Sequence, residues 1–413
     1  NNTKKVLNLA RDRFGEKPLY YGFQGNTLLF ASELKSLKVH PHFKGEINRE
    51  ALGMFLRYNY VPCPHSIYKG IKKLPPGSFL ELRAEDFRGL SQKPNEYWSL
   101  EETARKGKEA PFLGSDKDCV LQLEEKLHNS ISLQMESEVP LGAFLSGGVD
   151  SSAVVALMQS QSSKPIRTFT VGFHEKAFNE ANHAKAVANH LGTDHTELYV
   201  KAEDALKVIP NLPALYDEPS SDSSQIPTFL VAEMTRKHVT VSLSGDAGDE
   251  VFGGYNRYLF VKRLWSVLEK LPHPLRSCLA SLMASVPISL WDKLYSIFRP
   301  FLSPRSQFAL PGDKIHKLSE IVGLSGPEKI YQTLISNWKN PGDLVIGIEQ
   351  SSSTLSSKNR WGIHENIESA MMALDTTNYL PDDILTKVDR AAMGVSLETR
   401  IPFLDHRVVE FAW

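Results

Sequence analysis

The sequence of 413 residues predicts an α/β protein with a doubly wound parallel sheet, preceded by a β-rich segment. Three observations predict this architecture. Short apolar strands alternate with helical patterns from residue 118 onwards, an order typical of parallel sheets. A Gly- and Ser-rich turn joins the first of these strands to a helix. Before residue 99, in contrast, aromatic strand patterns are joined by hairpin turn signals.

The N-terminal segment, residues 1–98, has the pattern of strands joined by tight turns. Two aromatic-rich strands at 19–23 and 27–31 flank the turn residues Gln-Gly-Asn, which predicts a β-hairpin. A helix is predicted over 47–60, and the prolines that follow end it because proline lacks the N–H donor and clashes inside a helix. A Pro-Pro-Gly turn at 75–77 leads into a further strand.

Residues 99–117 are charged and poor in apolar residues, so we predict a linker between two domains. Apolar residues at helical spacing then predict a helix over 120–135, and Gly192 is expected to end a later helix. Residues 260–345 are predicted to be mainly helical. The predicted strands of the parallel sheet are, in chain order, 140–145, 167–171, 195–200 and 239–243.

The composition gives no support to a nucleic-acid partner or a membrane partner. Lys and Arg number 47 against 48 Asp and Glu, for a formal net charge of −1, whereas phosphate surfaces attract proteins with surplus positive charge. No uncharged apolar run reaches the roughly 18 residues that a membrane-spanning helix needs. Three widely spaced cysteines without a CxxC pair, and the lack of a basic, apolar signal segment at the start, predict a cytoplasmic protein.

The strongest local signal is the run Ser-Gly-Gly-Val-Asp-Ser-Ser at 146–152, which follows a predicted strand and opens a helix. Two glycines let the backbone come close to a ligand, and the N–H groups at the start of the helix attract an anion. The carboxylate of Asp150 would repel a phosphate unless a cation such as Mg²⁺ lies between them. A bare tight turn, with Asp and Ser as helix caps, is the alternative. The P-loop pattern GxxxxGKS/T and the dinucleotide pattern GxGxxG are absent from this loop.

The run at 146–152 resembles the SGGxDS pyrophosphate loop of the N-type ATP pyrophosphatases. Further segments narrow the resemblance to the glutamine-hydrolysing asparagine synthetases within that superfamily. These segments are, in family order, 11–21, 30–33 and 73–77 for the late part of a glutaminase domain, 244–255 for a second nucleotide motif, and 387–390 with 396–405 for a C-terminal signature. The resemblance therefore extends over almost the whole chain.

The resemblance implies an ATP pyrophosphatase-like domain at 118–413, preceded at 1–98 by the C-terminal part of a glutaminase domain of the Ntn hydrolase type. It implies that ATP adenylates the side-chain carboxylate of aspartate and that ammonia from glutamine then displaces AMP, giving asparagine. ATP and Mg²⁺ are the implied cofactors, the implied substrates are aspartate, glutamine and ATP, and a homodimer is compatible with the family. Another acceptor, such as a sugar acid or a peptide, and a nucleotide-binding regulatory protein without catalysis stay open as alternatives.

The resemblance also sets an expectation about the two ends of the chain. The family's glutaminase domain begins with a cysteine nucleophile, whereas this chain begins at Asn1 and its Cys63 lies in a turn between two prolines. The family's catalytic lysine is expected beyond Trp413. We therefore expect residues 1–413 alone not to hydrolyse glutamine, and the α/β domain to be cut near its C-terminal end.

The first nucleotide motif has three implied roles. Asp150 is implied to hold Mg²⁺. Leu145 and Val171 are implied to contact adenosine through the backbone, with plain core packing as the alternative for their side chains. Contacts to pyrophosphate are implied for the other positions of the loop that match the family motif, Ser146, Gly147, Gly148, Ser151 and Ser152.

The second motif supplies the implied catalytic group. Ser244 and Gly245 match nucleotide contacts. Asp246 matches a position at which close asparagine synthetases carry a glutamate needed for adenylate formation and for attack by ammonia. Asp249 matches a second magnesium-linked carboxylate. A solvated acidic turn is the alternative for this run, which also includes Glu250.

Charged residues outside the two motifs have open roles. Asp217, Glu218 and Asp222 resemble a substrate-side loop, with helix capping as an equal alternative. A buried salt-bridge network is preferred over substrate contact for the charged residues of the C-terminal signature, which are Lys387, Asp389, Arg390, Glu398 and Arg400.

Overall fold

The structure, a computed structural model, describes residues 1, 3–83, 92–174, 179–298, 310–348, 361, 364 and 366–413. The chain divides into two compact units. The first contains Asn1–Gly254, Asn340–Ser353 and Met372–Trp413, and the second contains Tyr255–Lys339 and Thr354–Met371. Every residue with an implied role in the nucleotide motifs belongs to the first unit.

Two small antiparallel sheets form in the N-terminal segment. One consists of β1 (Val6–Ala10), β5 (Ser78–Arg83) and β6 (Asn95–Glu96) in that spatial order, and the other of β3 (Thr27–Ala31), β2 (Tyr20–Gln24) and β4 (Ile71–Lys73). The predicted hairpin is confirmed, since Tyr20 pairs with Ala31 and Gln24 with Thr27. Two helices accompany these sheets, α1 (Leu34–Lys38) and α2 (Arg49–Tyr58), and the second confirms the predicted helix at 47–60.

A five-stranded parallel sheet follows in the chain. Its strands are β7 (Leu141–Phe144), β8 (Arg167–Phe173), β9 (Asp194–Val200), β10 (Val241–Leu243) and β11 (Glu398–Arg400). Their spatial order is β11-β10-β7-β8-β9, and every neighbouring pair is parallel. The chain therefore starts at the central strand β7, moves outward to β9, and returns on the other side of β7 with β10. This is the predicted doubly wound sheet.

Helices of the first unit pack on both faces of this sheet. They are α3 (Leu100–Glu109), α4 (Asp116–Met135), α5 (Val149–Ser160), α6 (Ala181–Leu191), α7 (Ala202–Val208), α8 (Leu212–Tyr216), α9 (Gln225–Arg236) and α10 (Gly248–Phe252). The largest apolar core joins Ile131 of α4 and Val155 of α5 to Ala143 of β7. A second core joins Met234 of α9 to Phe169 of β8. Gly192 ends α6 with a φ of +72°, as the sequence predicted.

The second unit is helical in its described part, which agrees with the prediction for 260–345. It contains α11 (Asn256–Leu268), α12 (His273–Ser285), α13 (Ile288–Phe298), α14 (Pro311–Val322) and α15 (Pro327–Leu334). The last segments of the chain form α16 (Ile367–Leu374), a π-helix (Asp375–Ile384), α17 (Leu385–Met393) and α18 (His406–Ala412). Across the described ranges, we find no helix that combines the length and the apolar character needed to span a membrane.

Helix α3, within the predicted linker, and strand β11, in the parallel sheet, were not among the predicted elements. The stretch at 99–117 holds helix α3, capped where the Ser99 hydroxyl accepts from the N–H of Glu102 and supported by ion pairs of Arg105 with Glu102 and Glu109. Strand β11 has no counterpart among the predicted strands. Three residues are too few for a period-two pattern to be recognised.

Candidate functional site

The two nucleotide motifs lie side by side at the point where the strand order of the sheet reverses. Strands β7 and β10 are parallel neighbours, with Ala143 opposite Leu243. The loop at 146–152 begins just after β7, and the loop at 244–248 begins just after β10. In open α/β sheets this crevice, beyond the carboxyl ends of the strands, is where ligands bind.

The loop at 146–152 has its shape fixed by internal hydrogen bonds. The Ser146 N–H donates to Ser151 Oγ at 3.2 Å, and the two hydroxyl oxygens are 3.0 Å apart. The Gly148 N–H donates to Ser146 Oγ at 3.2 Å. Gly147 has a φ of +81°, and a Cβ there would lie 2.6 Å from the backbone nitrogen of Ala184. A residue with a side chain would therefore disrupt the loop at this position.

Helix α5 presents its N-terminus in this loop without a side-chain cap. Its N-cap residue is Gly148, which has no side chain, and Asp150 lies in the first turn of the helix. The first N–H groups of a helix have no partner within the helix. No Asp or Ser side chain of the loop accepts a hydrogen bond from these first N–H groups of α5. The alternative in which Asp and Ser act only as helix caps is therefore wrong. The helix end is suited to bind an anion.

The loop after β10 packs directly on the start of α5. A Cβ on Gly245 would lie 2.6 Å from the Ser151 backbone nitrogen. A Cβ on Gly248 would lie 2.4 Å from Cγ of Asp150. In the same loop, the Ser244 hydroxyl donates to Asp246 Oδ2 at 2.5 Å. The absence of side chains at positions 245 and 248 thus lets the two loops approach each other.

Three carboxylates converge where the loops meet. The pKa of Asp150 is raised to about 6, first because the group is partly buried and then because Asp249 and Asp246 repel its negative charge. Within the described residues, no three His, Cys, Asp or Glu side chains form a set that could by itself hold a metal ion. Mg²⁺ needs fewer protein ligands, since it takes one or two carboxylates together with phosphate oxygens and water. The carboxylates at this point fit such an ion, because a bound cation would relieve their mutual repulsion.

A cavity of about 700 Å³ opens beside the first loop, at the carboxyl ends of β7 and β8. Leu145, Ser146 and Val171 all line it. Most of its other walls are apolar, with a few polar groups, as is usual for sites of small organic ligands. These walls are Phe144, Phe169, Thr170, Phe173, Glu180, Val200, Ala205, Ser223, Ser224, Ile226, Pro227, Thr228, Leu230 and Val231. The cavity therefore brings together the two residues implied to contact adenosine and the first serine of the loop.

The charged residues of the C-terminal signature divide into two groups. Lys387 lies 2.7 Å from Asp222, and Arg390 contacts both Asp389 and Glu33, with Asp389 almost fully buried. The predicted buried network is confirmed for these residues. It is wrong for the pair Arg400 and Glu398, which is partly exposed because it lies on the edge strand β11.

Two carboxylates of the loop after α8 form ion pairs, and a third accepts from a backbone N–H at the start of α1. Lys73 reaches Glu218 at 3.0 Å. Asp222 accepts from the Ser224 N–H and pairs with Lys387. Asp217, which ends α8 with a φ of +63°, accepts from the backbone N–H of Lys35 at 3.3 Å. The capping alternative is thus wrong for Glu218 and Asp222.

Cys63 has the surroundings of an inert thiol. Burial, followed by the charge of Asp382, raises the pKa of the thiol to about 12. A thiol is nucleophilic as its thiolate, so this group is unreactive at neutral pH. The environment agrees with the prediction that Cys63 is not the glutaminase nucleophile.

Sequence reasoning missed some residues of this site. Ser223, Ser224 and Thr170 line the cavity, and the polar run that continues past Asp222 is the signal that could have found the two serines. Lys73 meets Glu218 across 145 residues of sequence. No local pattern predicts a contact of that separation.

Comparison with known proteins identifies the chain's relatives. The family model for asparagine synthase matches residues 122–413, and the model for a glutamine amidotransferase domain matches residues 1–98. Glutamine-hydrolysing asparagine synthetase 1 of Bacillus subtilis (strain 168) is 32% identical over 412 residues, which is 100% of this chain and 60% of that protein. The putative glutamine-hydrolysing asparagine synthetase 2 of Methanocaldococcus jannaschii is 33% identical over 402 residues, 94% of this chain and 70% of that protein.

A fungal relative has a different name. The amidase chry2 of Gibberella zeae is 25% identical over 442 residues, 100% of this chain and 61% of that protein. The chain thus spans between about three fifths and seven tenths of these relatives' lengths. The asparagine synthase match covers well over half of the chain. The chain therefore belongs to the asparagine synthase family.

Proposed function

We propose that the protein is an ATP-dependent asparagine synthetase that takes its ammonia from glutamine. The observation that carries the proposal is the contact of the two loops at the switch point, where Asp150 lies against Gly248. A polyphosphate, a cation and a carboxylic acid would meet there. The proposed domains are the C-terminal part of a glutaminase domain at 1–98, a linker at 99–117 and a synthetase domain at 118–413.

The loop after β7 would bind the pyrophosphate portion of ATP. The N–H groups at the start of α5 favour an anion, and the serine hydroxyls of the loop add donors. Leu145 and Val171 would contact the adenosine through their backbone while it fills the cavity beside them. Ser244 and Gly245 would contact the nucleotide from the neighbouring strand.

Asp150 and Asp249 are the residues that would hold Mg²⁺. The ion, when bound, would stabilise negative charge on the leaving pyrophosphate. The place of Asp150 against Gly248, where the two loops meet, supports this role. Its raised pKa agrees, because carboxylates that repel one another accept a shared cation readily. Asp150 must then be deprotonated before the site can bind the ion.

Asp246 is proposed as the catalytic residue of the amidation. The acceptor carboxylate attacks the α-phosphorus of ATP and pyrophosphate leaves. Ammonia then attacks the acyl carbon, AMP leaves, and one proton must be removed from nitrogen. The Asp246 carboxylate would accept hydrogen bonds from ammonia, orient it and take that proton. The Ser244 hydroxyl, which donates to Asp246 at 2.5 Å, would keep the carboxylate in place.

The proposal is tested by the exchange of labelled pyrophosphate into ATP, measured with purified full-length protein and a panel of carboxylic acids. Exchange that depends on aspartate is the expected result. Exchange with a sugar acid or a peptide, and none with aspartate, would replace the proposed substrate by another acceptor. ATP binding without exchange for any acid would favour the regulatory alternative. A cytoplasmic location and a homodimer stay predictions from the sequence.

A further inference from the structure

An ion cluster joins the N-terminal segment to the loop that follows α8. Lys73 of β4 lies 3.0 Å from Glu218 and 3.5 Å from Asp382, and its ammonium group also donates to the carbonyl of Val61. All three charged side chains are less than a tenth exposed. Burial by itself would lower the pKa of Lys73, but the two carboxylates raise it overall, so the lysine stays charged at neutral pH.

Glu218 is held by several groups of the N-terminal segment at once. Its Oε1 accepts from the Ile67 N–H at 2.7 Å, and its Oε2 accepts from the Tyr20 hydroxyl at 3.3 Å. The same Oε2 is the partner of Lys73. A further hydrogen bond to the N-terminal segment lies three residues later, where the Ser221 N–H donates to the carbonyl of Asn59 at 2.9 Å. The segment from 217 to 222 therefore takes its position from residues of another part of the chain.

The same segment leads directly into the wall of the cavity. Asp222 accepts from the N–H and the hydroxyl of Ser224, at 2.8 and 2.7 Å. Lys387 reaches both Asp222 and Ser224 at 2.7 Å. Ser223 and Ser224 line the cavity. A displacement of Glu218 would therefore be passed to the cavity wall within six residues of chain.

We propose that Glu218, held by Lys73, Tyr20 and the Ile67 N–H, is a positioning residue for the nucleotide cavity. The N-terminal segment sets the place of the cavity wall at 223–224 although it contributes none of the residues that line the cavity. This inference rests on the proposed function, because the cavity is taken to bind ATP. A buried charge cluster fits such a role, since its members are costly to bury and therefore hold one geometry.

The test compares ATP–Mg²⁺ binding by the wild type and by Glu218→Ala, measured by calorimetry on the purified full-length protein. Glu218→Ala frees the loop from three partners, while Lys73 keeps Asp382 and the Val61 carbonyl. We expect ATP–Mg²⁺ binding about tenfold or more weaker, because small displacements of remote positioning groups have effects of this order. Glu218→Gln keeps an oxygen for the Ile67 N–H and should restore most of the affinity. Glu46→Ala breaks the exposed ion pair with Lys69 and should bind ATP–Mg²⁺ like the wild type.

The outcomes separate the inference from the proposed function. The inference would be overturned if Glu218→Ala lowered the melting temperature but bound ATP–Mg²⁺ as tightly as the wild type. The ion cluster would then have a structural role only. If Glu218→Ala does not fold, Tyr20→Phe serves in its place, because it removes one hydrogen bond and no charge. Tyr20→Phe should bind ATP–Mg²⁺ roughly two- to fivefold more weakly than the wild type. Unchanged affinity would overturn the inference. A wild type that does not bind ATP–Mg²⁺ would contradict the proposed function itself.

Discussion

The carboxyl group of Asp150 lies against the α-carbon of Gly248, so close that a Cβ at position 248 would be 2.4 Å from Cγ of Asp150. The two residues belong to different loops, which follow the neighbouring strands β7 and β10. The contact thus depends on the sheet that brings the strand ends together. It also explains why a residue without a side chain is needed in the second loop.

Gly248→Ala should weaken ATP–Mg²⁺ binding by moving the Asp150 carboxylate. The new methyl group would displace that carboxylate, and we expect about tenfold weaker binding. Stability should change little, because the atoms that must move are the end of a side chain and not backbone. Calorimetric titration and denaturant unfolding measure the two effects. Gly342→Ala is the matched control, because a Cβ there would meet no atom within 4 Å. If Gly248→Ala and Gly342→Ala bound ATP–Mg²⁺ equally well, the close contact between Gly248 and Asp150 would not be needed for binding.

Asp150→Asn should make the ligand-free protein more stable than the wild type, and the difference should grow as pH rises. The pKa of Asp150 is about 6 in the folded protein and ordinarily 3.8. Between these values the folded state keeps a proton that the unfolded chain has lost, so the wild type loses stability as pH rises and the loss is complete above about pH 6. The asparagine variant is free of this loss.

Thermal unfolding without nucleotide or magnesium checks this pH dependence. The melting temperature of Asp150→Asn should exceed that of the wild type by more at pH 7.5 than at pH 5. ATP–Mg²⁺ should then stabilise the wild type more than the variant, since the variant lacks the charged ligand for the ion. The same difference in melting temperature at both pH values would argue against the repulsion among the three carboxylates.

Asp246→Asn should separate chemistry from nucleotide binding. The amide can no longer take a proton from the attacking ammonia, so asparagine formation should fall by about 100-fold or more. ATP–Mg²⁺ affinity should change by less than about threefold, as for substitutions that remove no binding contact. Asp249→Asn is the matched comparison, and there the affinity itself should fall. If Asp246→Asn weakened binding as much as Asp249→Asn, Asp246 would be a nucleotide ligand and not the catalytic group.

Cysteine labelling should report the inert state of Cys63. Its thiol pKa of about 12 leaves almost no thiolate at pH 8, whereas Cys278 is exposed. Brief treatment of the folded protein with iodoacetamide, followed by peptide mass spectrometry, should find Cys278 alkylated and Cys63 unmodified. Unfolding in denaturant should make both react. Rapid alkylation of Cys63 in the folded protein would contradict the raised pKa of its thiol.

Local pattern was enough to predict four strands of the parallel sheet and the first loop of the candidate site, whereas the second loop was found through its resemblance to a family motif. The strand before Ser146 and the helix after it have clear apolar patterns, and glycines mark the places where the backbone must bend or approach. Helix α3 was predicted as part of a linker, because its stability comes from the Ser99 cap and the ion pairs of Arg105 and not from an apolar stripe. Its Leu100 nevertheless joins the main core.

Long-range contacts are the part that the sequence could not supply. Strand β11 has only three residues, and it pairs with β10 more than 150 positions earlier in the chain. The ion cluster around Lys73 and the contact of Asp150 with Gly248 likewise join residues far apart in sequence. Such pairs follow from the topology of the fold, so they become visible only once the strands are in place.

Asparagine formation through adenylated aspartate is the reaction on which the proposed function depends. The most direct measurement supplies the full-length protein with ATP, Mg²⁺, aspartate and ammonium chloride, so that glutamine hydrolysis is not needed, and quantifies the nucleotide and amino-acid products by chromatography. We predict equal amounts of asparagine and AMP, with pyrophosphate released. Formation of ADP and phosphate, or consumption of ATP without any asparagine, would contradict this prediction.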